Sequence, residues 1–266
     1  MKIDYKETTS DLLKRIDIHN KFGSRDIDQW MLETLQLQKG IKILDVGCGA
    51  GKQCFSFFNF LSGDCDITGG DVSEELLTQA KEENKKYNQC VGFTQLNFNK
   101  PFDFPSNTFD LLSCCFAIYY SENIPFTIRE MHRVLKNGGR LFTTGPMPDN
   151  KKIFYDIIRE ATGKPIPPMP GSSRYGSEIL NTIRSLFSEV KVEIFENPLV
   201  FESAEPFVEY TRASLSEDRR LWISLFDDKS SFKQVMTQIA KVAENRIIRD
   251  NKIVMTKVVG GIFATK

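Results

Sequence analysis

The chain has little of what marks a nucleic-acid, membrane or metal protein. Its 35 Lys+Arg and 35 Asp+Glu cancel to a formal net charge of zero, and no run of five or more Lys/Arg occurs. That excludes the broad basic surface needed for non-specific binding to nucleic acid or anionic membrane. No stretch approaches the ~18 apolar residues of a spanning helix, so no membrane insertion is expected. The start, MKIDYKETTSDLLKRIDIHN, mixes charges with apolar residues where a signal peptide has an unbroken apolar core. Cys48, Cys54, Cys65, Cys90, Cys114 and Cys115 lack the paired spacing of a metal site. The adjacent Cys114 and Cys115 are also poorly placed for a structural disulfide. They read as reduced thiols packed as small apolar residues, and the chain as cytoplasmic.

What is present suits a soluble fold with its own core: 41% hydrophobic and 26% charged residues in 266. That balance excludes a disordered tail, a collagen or a coiled coil. Short apolar runs alternate with helical patterns through the first 145 residues. Strands are expected at Ile41–Val46, Cys65–Gly70, Val91–Leu96, Phe109–Cys115 and Arg140–Thr144. Helices are expected near 51–61, after the N-cap Ser73, and around Ile124, Ile128, Met131 and Leu135, the last ended by Gly138-Gly139. This alternation argues for a parallel sheet with helices on both faces. Residues 146–175, rich in proline, read as a loop. Alternation at Val190, Val192 and Ile194 marks a strand. The stripe Phe232, Val235, Met236, Ile239, Val242 and Ala243 marks a packed C-terminal helix, and VMTKVVGGIFATK a last strand.

The most informative segment is Ile43-Leu44-Asp45-Val46-Gly47-Cys48-Gly49-Ala50-Gly51. Alternate glycines after a strand allow a tight turn and close backbone approach to a ligand. A dinucleotide loop runs G-x-G-x-x-G and places a pyrophosphate on a helix N-terminus. Here the spacing is G-x-G-x-G with Asp45 two residues before the first glycine. A carboxylate there repels a pyrophosphate but suits an ammonium or sulfonium. Gly51-Lys52 is followed by Gln53, which excludes a Walker A loop.

ILDVGCGAG resembles the first motif of class I S-adenosylmethionine-dependent methyltransferases. Gly70-Asp71, Asn97-Phe98, Phe104-Pro105-Ser106-Asn107-Thr108-Phe109-Asp110 and Arg133-Val134-Leu135-Lys136-Asn137-Gly138-Gly139 resemble its later motifs in order. The nearest subgroup is that of small-molecule enzymes related to quinone biosynthesis. The resemblance implies a Rossmann-like α/β fold: a seven-stranded, mainly parallel sheet with an antiparallel last strand and helical lid segments. It implies one domain over 1–266, with lid helices in 1–40, a cofactor core in 41–145 and substrate-side insertions in 146–266. Asp45 would face the cofactor amine through a water, and Gly47, Cys48, Gly49 and Gly51 would form the loop. Asp71 would take both ribose hydroxyls. Val72, Asn97 and Phe98 would contact adenine, and Cys115 and Phe116 the methionine part. Asn97 replaces the family's Asp, so only its amide oxygen accepts from the adenine amino group.

The expected function is transfer of a methyl group from S-adenosyl-L-methionine, leaving S-adenosyl-L-homocysteine, to O, N or C of a small, largely apolar or aromatic molecule. The alternatives are an RNA- or protein-directed methyltransferase, or a non-catalytic cofactor-binding protein of this fold. Tyr119, Tyr120 and His19 are the acid/base candidates, and Arg174, Tyr175 and Tyr210 the acceptor contacts. An aromatic and apolar acceptor lining is expected from Tyr5, Phe22, Trp30, Met169, Tyr175, Phe201, Phe207 and Tyr210. No metal and no nucleic-acid partner are expected.

Overall fold

The run Ile41–Val46 is apolar on both sides except at Lys42 and Asp45, the signature of a strand covered on two faces. In the computed structural model, which describes residues 9–215, 217–226 and 229–266, it is an inner strand of a seven-stranded sheet. In chain order the elements begin α1 (Thr9–Phe22), α2 (Ile27–Leu35), β1 (Ile41–Val46), α3 (Lys52–Phe60), β2 (Cys65–Asp71), α4 (Glu74–Glu83) and β3 (Gly92–Gln95). Next come β4 (Phe109–Cys115), α5 (Ile124–Val134), β5 (Leu135–Pro146), α6 (Lys152–Thr162), α7 (Pro170–Arg174) and α8 (Leu180–Leu186). The chain closes with β6 (Ser188–Phe201), α9 (Ala204–Ala213), α10 (Arg219–Leu225), α11 (Lys229–Asp250) and β7 (Ile253–Thr265).

The sheet order is β3-β2-β1-β4-β5-β7-β6. Neighbours from β3 to β5 are parallel, and β7 runs antiparallel to β5 from Arg140↔Thr265 to Pro146↔Val259. The expected Rossmann-like sheet with its antiparallel last strand is thus present. No helix among the described residues is long and apolar enough to cross a membrane.

Residues group into two compact units. The sheet unit holds 27–148, 170–195 and 259–266. Its strands alternate cleanly: Leu44, Val46, Leu112 and Cys114 enter one core cluster, Ile43 and Leu111 the other. Asp45 and Ser113 share the side of Ile43 and Leu111, so the period of two already aims the acid and the hydroxyl at one another. The second unit holds 149–169, 196–258 and the N-terminal residues up to 26. Phe154, Phe201, Phe207, Tyr210 and Trp222 are fully buried there, with Met236, Ile239 and Ala243 of the α11 stripe. Its core also buries Lys151, whose Nζ lies 2.8 Å from Asp218 Oδ2 and 3.2 Å from Glu217 Oε2.

Two expectations need correction. Residues 152–162 form α6 rather than loop, because Phe154, Ile157 and Ile158 make a buried i, i+3, i+4 stripe. The prolines flank this helix and never enter it. The helix α5 stops at Val134, and Leu135 already pairs with Phe109. Gly138-Gly139 therefore do not end a helix. They lie inside β5, where the β4 register shifts between Phe109 and Leu111, with Gly138 at φ +74°.

Candidate functional site

The strand order reverses between β1 and β4, and ligands in open α/β sheets bind outside the carboxyl ends of strands at such a point. Beyond Val46 the chain turns through Gly47 (φ +74°), Gly49 (φ +54°) and Gly51 (φ +83°). A Cβ on Gly47 would fall 2.5 Å from that of Ala117, and one on Gly51 2.9 Å from the rings of Phe55 and Phe93. Conformation and space both demand glycine. The N–H groups of Gly47 and Cys48 donate to Gly70 O at 2.7 and 3.1 Å, which ties the loop to the end of β2. The Cys48 side chain packs inward, so only its backbone faces the loop.

Asp71 is oriented by that loop. Its Oδ2 accepts from Gly49 N–H at 2.8 Å and its Oδ1 from Ser73 N–H at 2.9 Å. Each oxygen keeps a lone pair for a ligand donor. Val72 beside it is 60% exposed and Phe116, at the end of β4, 38% exposed. A cleft of about 400 Å³ is lined by Val72, Thr94 to Asn97 and Lys100 to Phe104. Asn97 Oδ1 accepts from Asn99 N–H at 2.9 Å, so one of its two lone pairs is already engaged. Phe98 packs against the sheet core.

Asp45 lies beneath the loop, 2% exposed. Its Oδ1 accepts from Ser113 Oγ at 2.6 Å and its Oδ2 from Cys54 Sγ at 3.4 Å. Burial pushes its pKa up to about 6; those two hydrogen bonds oppose the rise and the charge of Asp71 adds to it. Gln53 Nε2, buried in the first turn of α3, has no hydrogen-bond partner among the described residues. Cys115 Sγ lies 3.9 Å from Met31 Sδ, and burial raises its thiol pKa. Phe116 is held at φ +56°, its N–H donating to Thr144 O at 3.0 Å. That conformation costs a non-glycine residue ~1–2 kcal/mol and persists only where the surroundings impose it.

The 3₁₀ turn Ile118–Tyr120 follows, with the rings of Tyr119 and Tyr120 4.7 Å apart and Tyr120 largely exposed. Asp45, Gly47, Cys48, Gly49, Gly51, Asp71, Val72, Asn97, Phe98, Cys115, Phe116, Tyr119 and Tyr120 thus all follow or end β1 to β4 at their carboxyl ends. The remaining candidates divide between the two units. Arg174 Nη1 donates to the backbone oxygens of Tyr119 and Ser121 at 2.9 and 2.8 Å, and its Nε to Glu178 at 3.0 Å. Tyr175 is fully buried over Gly145, and its hydroxyl donates to Thr143 O at 2.7 Å, a packing place and not an acceptor contact. His19 and Tyr210 lie in the second unit, with ring centroids 5.8 Å apart. Tyr210 is fully buried, its hydroxyl 3.4 Å from both Glu217 Oε2 and Lys257 Nζ, so as placed it too meets no acceptor. Burial and then the charge of Lys257 lower the His19 pKa to about 3. Of the expected acceptor lining, Trp30 and Tyr175 belong to the sheet unit and Phe22, Met169, Phe201, Phe207 and Tyr210 to the other. Tyr5 lies outside the described residues. The sequence reading missed Ser113, Cys54, Gln53 and Asn99. Only Ser113, a lone hydroxyl within an apolar strand, left a visible signal.

Residues 37–162 match the family model of a methyltransferase domain. The segment is thus similar to methyltransferase domains, over just under half of the chain. Within and around it the chain is 31% identical over 140 residues to demethylmenaquinone methyltransferase of Listeria welshimeri, covering 49% of this chain and 58% of that protein. Phosphoethanolamine N-methyltransferase 3 of Arabidopsis thaliana is 30% identical over 146 residues, covering 51% and 29%. The chain therefore spans less than two thirds of the length of these curated relatives. The solved structure of a SAM-dependent methyltransferase from Aquifex aeolicus matches with a TM-score of 0.56 at 16% identity, covering 99% of both chains. That likeness concerns the fold.

Proposed function

We propose that this chain is an S-adenosylmethionine-dependent methyltransferase acting on O, N or C of a small, largely apolar or aromatic molecule. The observation that carries the reading is Asp71: a carboxylate anchored through both oxygens by backbone N–H groups of the glycine loop and the α4 cap, next in sequence to the exposed side chain of Val72. Such a group accepts two adjacent hydroxyls while the apolar side chain beside it takes a face of a base. The similarity to small-molecule enzymes and the balanced charge support a small acceptor over a nucleic acid.

When bound, S-adenosylmethionine supplies a methyl group on an already activated sulfonium. The residues of this chain then have modest work to do. Gly47, Gly49 and Gly51 let the backbone approach. Asp71 would hold the ribose and Asn97 the adenine edge, through its remaining lone pair. Asp45 sets a negative field under the loop that favours a cationic ligand, and Ser113 fixes its carboxylate. Val72 and Phe116 exclude water. Positioning of this kind can supply much of a displacement's acceleration. A general base is needed only for an acceptor that must lose a proton, and Tyr119 and Tyr120 stand nearest to that role in this reading.

The test is calorimetry with S-adenosylhomocysteine on wild type and Asp71→Ala. Loss of two hydrogen bonds to a charged acceptor, each worth ~1.5–3 kcal/mol, lowers affinity by at least about tenfold. Equal affinity would remove Asp71 from the site, and preference for NADH would end the methyltransferase reading.

A further inference from the structure

The loop after β3 and the turn after β4 are stitched together by side-chain hydrogen bonds. Asn99 Oδ1 accepts from Glu122 N–H at 2.9 Å, while its own N–H donates to Asn97 Oδ1 at 2.9 Å. One residue therefore spans from the adenine-side asparagine to the end of the turn that carries Tyr119 and Tyr120. A second strand of the stitch runs beneath. Thr127 Oγ1 donates to Phe98 O at 2.8 Å, so in its 2.8 Å bond with Ser121 Oγ the serine is the donor. Ser121 Oγ in turn accepts from Asn123 N–H at 3.1 Å, and its 3.4 Å approach to Asn99 Oδ1 is secondary. Ser121 and Thr127 are buried. From the other side Arg174 grips the carbonyls of Tyr119 and Ser121 with one nitrogen.

These bonds are asymmetric in a way that matters. The buried Ser121–Thr127 pair and Arg174 hold the base of the turn whatever is bound. Asn99 is different, because it sits on the half-exposed loop whose neighbour Asn97 lines the cleft. Fixing Asn97 on a ligand fixes Asn99, and through the Glu122 amide it fixes the turn. We propose that Asn99 is a positioning residue through which occupancy of the nucleoside side of the site orders the Tyr119–Tyr120 turn, so that the donor binds before the acceptor side is formed. This rests on the reading of the site as one for S-adenosylmethionine.

Hydrogen exchange followed by mass spectrometry, with S-adenosylhomocysteine as the probe, tests it. In the wild type the probe slows exchange across residues 118–123 by about fivefold or more, as expected when a low-stability segment is tied down. Asn99→Ala binds the probe within about threefold of wild type, yet its turn exchanges equally fast with and without it. Asn99→Asp keeps an acceptor for the Glu122 amide and restores the protection. Retained affinity in each variant shows that it is folded, and a purely structural asparagine would not produce this pattern. Wild-type protection in Asn99→Ala overturns the proposal, as does an unprotected turn in the wild type. A large loss of probe affinity in Asn99→Ala overturns it too, by making the residue a ligand contact. A wild type that does not bind the probe at all removes the methyltransferase reading itself, and the inference with it.

Discussion

Changing Asp45 to Asn separates what the fold tolerates from what the site requires. The carboxyl is 2% exposed, and burial holds its pKa at about 6 against an ordinary value of 3.8. A pKa raised in the folded state means that the native protein binds the proton more tightly than the unfolded chain. The associated stability is present at low pH and is lost as pH climbs through the folded value. The shift, 6 − 3.8 or about two pK units, corresponds to ~3 kcal/mol at ~1.36 kcal/mol per unit, lost progressively between about pH 4 and 6. Asparagine keeps the shape and an acceptor for Ser113 Oγ but carries no charge. In urea denaturation without ligand, Asp45→Asn is therefore more stable than wild type by ~2–3 kcal/mol above about pH 6.5, and the two converge near pH 4. In the same proteins S-adenosylmethionine affinity falls for Asp45→Asn, because the negative field under the loop is gone. Wild-type affinity falls as pH drops below about 6, where the acid takes up its proton. A variant no more stable than wild type at pH 7.5, or a difference that does not shrink with acid, would refute the desolvation argument. Such a gain in stability with a loss of binding is the trade expected where a site holds a group the fold would otherwise exclude.

Two further outcomes concern the second unit. Lys151→Met leaves Asp218 buried without its cation and lowers stability by ~3–5 kcal/mol, read from the urea midpoint; a loss under about 1 kcal/mol would show that the pair does not bear on folding. His19 stays neutral from pH 8 down to pH 5, so its ring proton shifts do not move in NMR titration, and a midpoint near 6.5 would contradict the burial described. Because its folded pKa is depressed, its contribution to stability is present above about pH 6.5 and is lost as pH falls toward 3.

The sheet and the glycine loop at its carboxyl ends were legible because their signals are local. A buried parallel strand must be an apolar run, a left-handed turn must be glycine, and a carboxylate closing β2 must find donors in the neighbouring loop. Asp45 and Gly47 satisfy these rules within one short segment, and Asp71, which meets Gly49 from 22 residues away, does so at the end of its own strand. Even the cap at Ser73, whose hydroxyl accepts from Leu76 N–H, follows from its neighbours alone. Where the reading failed, a local rule met a competing one. Prolines around 152–162 suggested a loop, but proline excludes only the residues it occupies, and the i, i+3, i+4 stripe of Phe154, Ile157 and Ile158 was free to fold between them.

The acceptor side was illegible for a different reason. An aromatic in sequence is ambiguous between packing and recognition, and only its neighbours far along the chain decide. Tyr175 meets Thr143, 32 residues away, and Arg174 reaches carbonyls 53 and 55 residues away. Neither partner leaves a mark near residue 174. Tyr210 closes on Lys257 across 47 residues. Each of these polar tips is engaged by the protein itself, as buried tips must be, and a tip so engaged is no longer offered to a ligand. Tyr120 differs from these three in its surroundings, since it is 65% exposed at the end of the turn that follows β4.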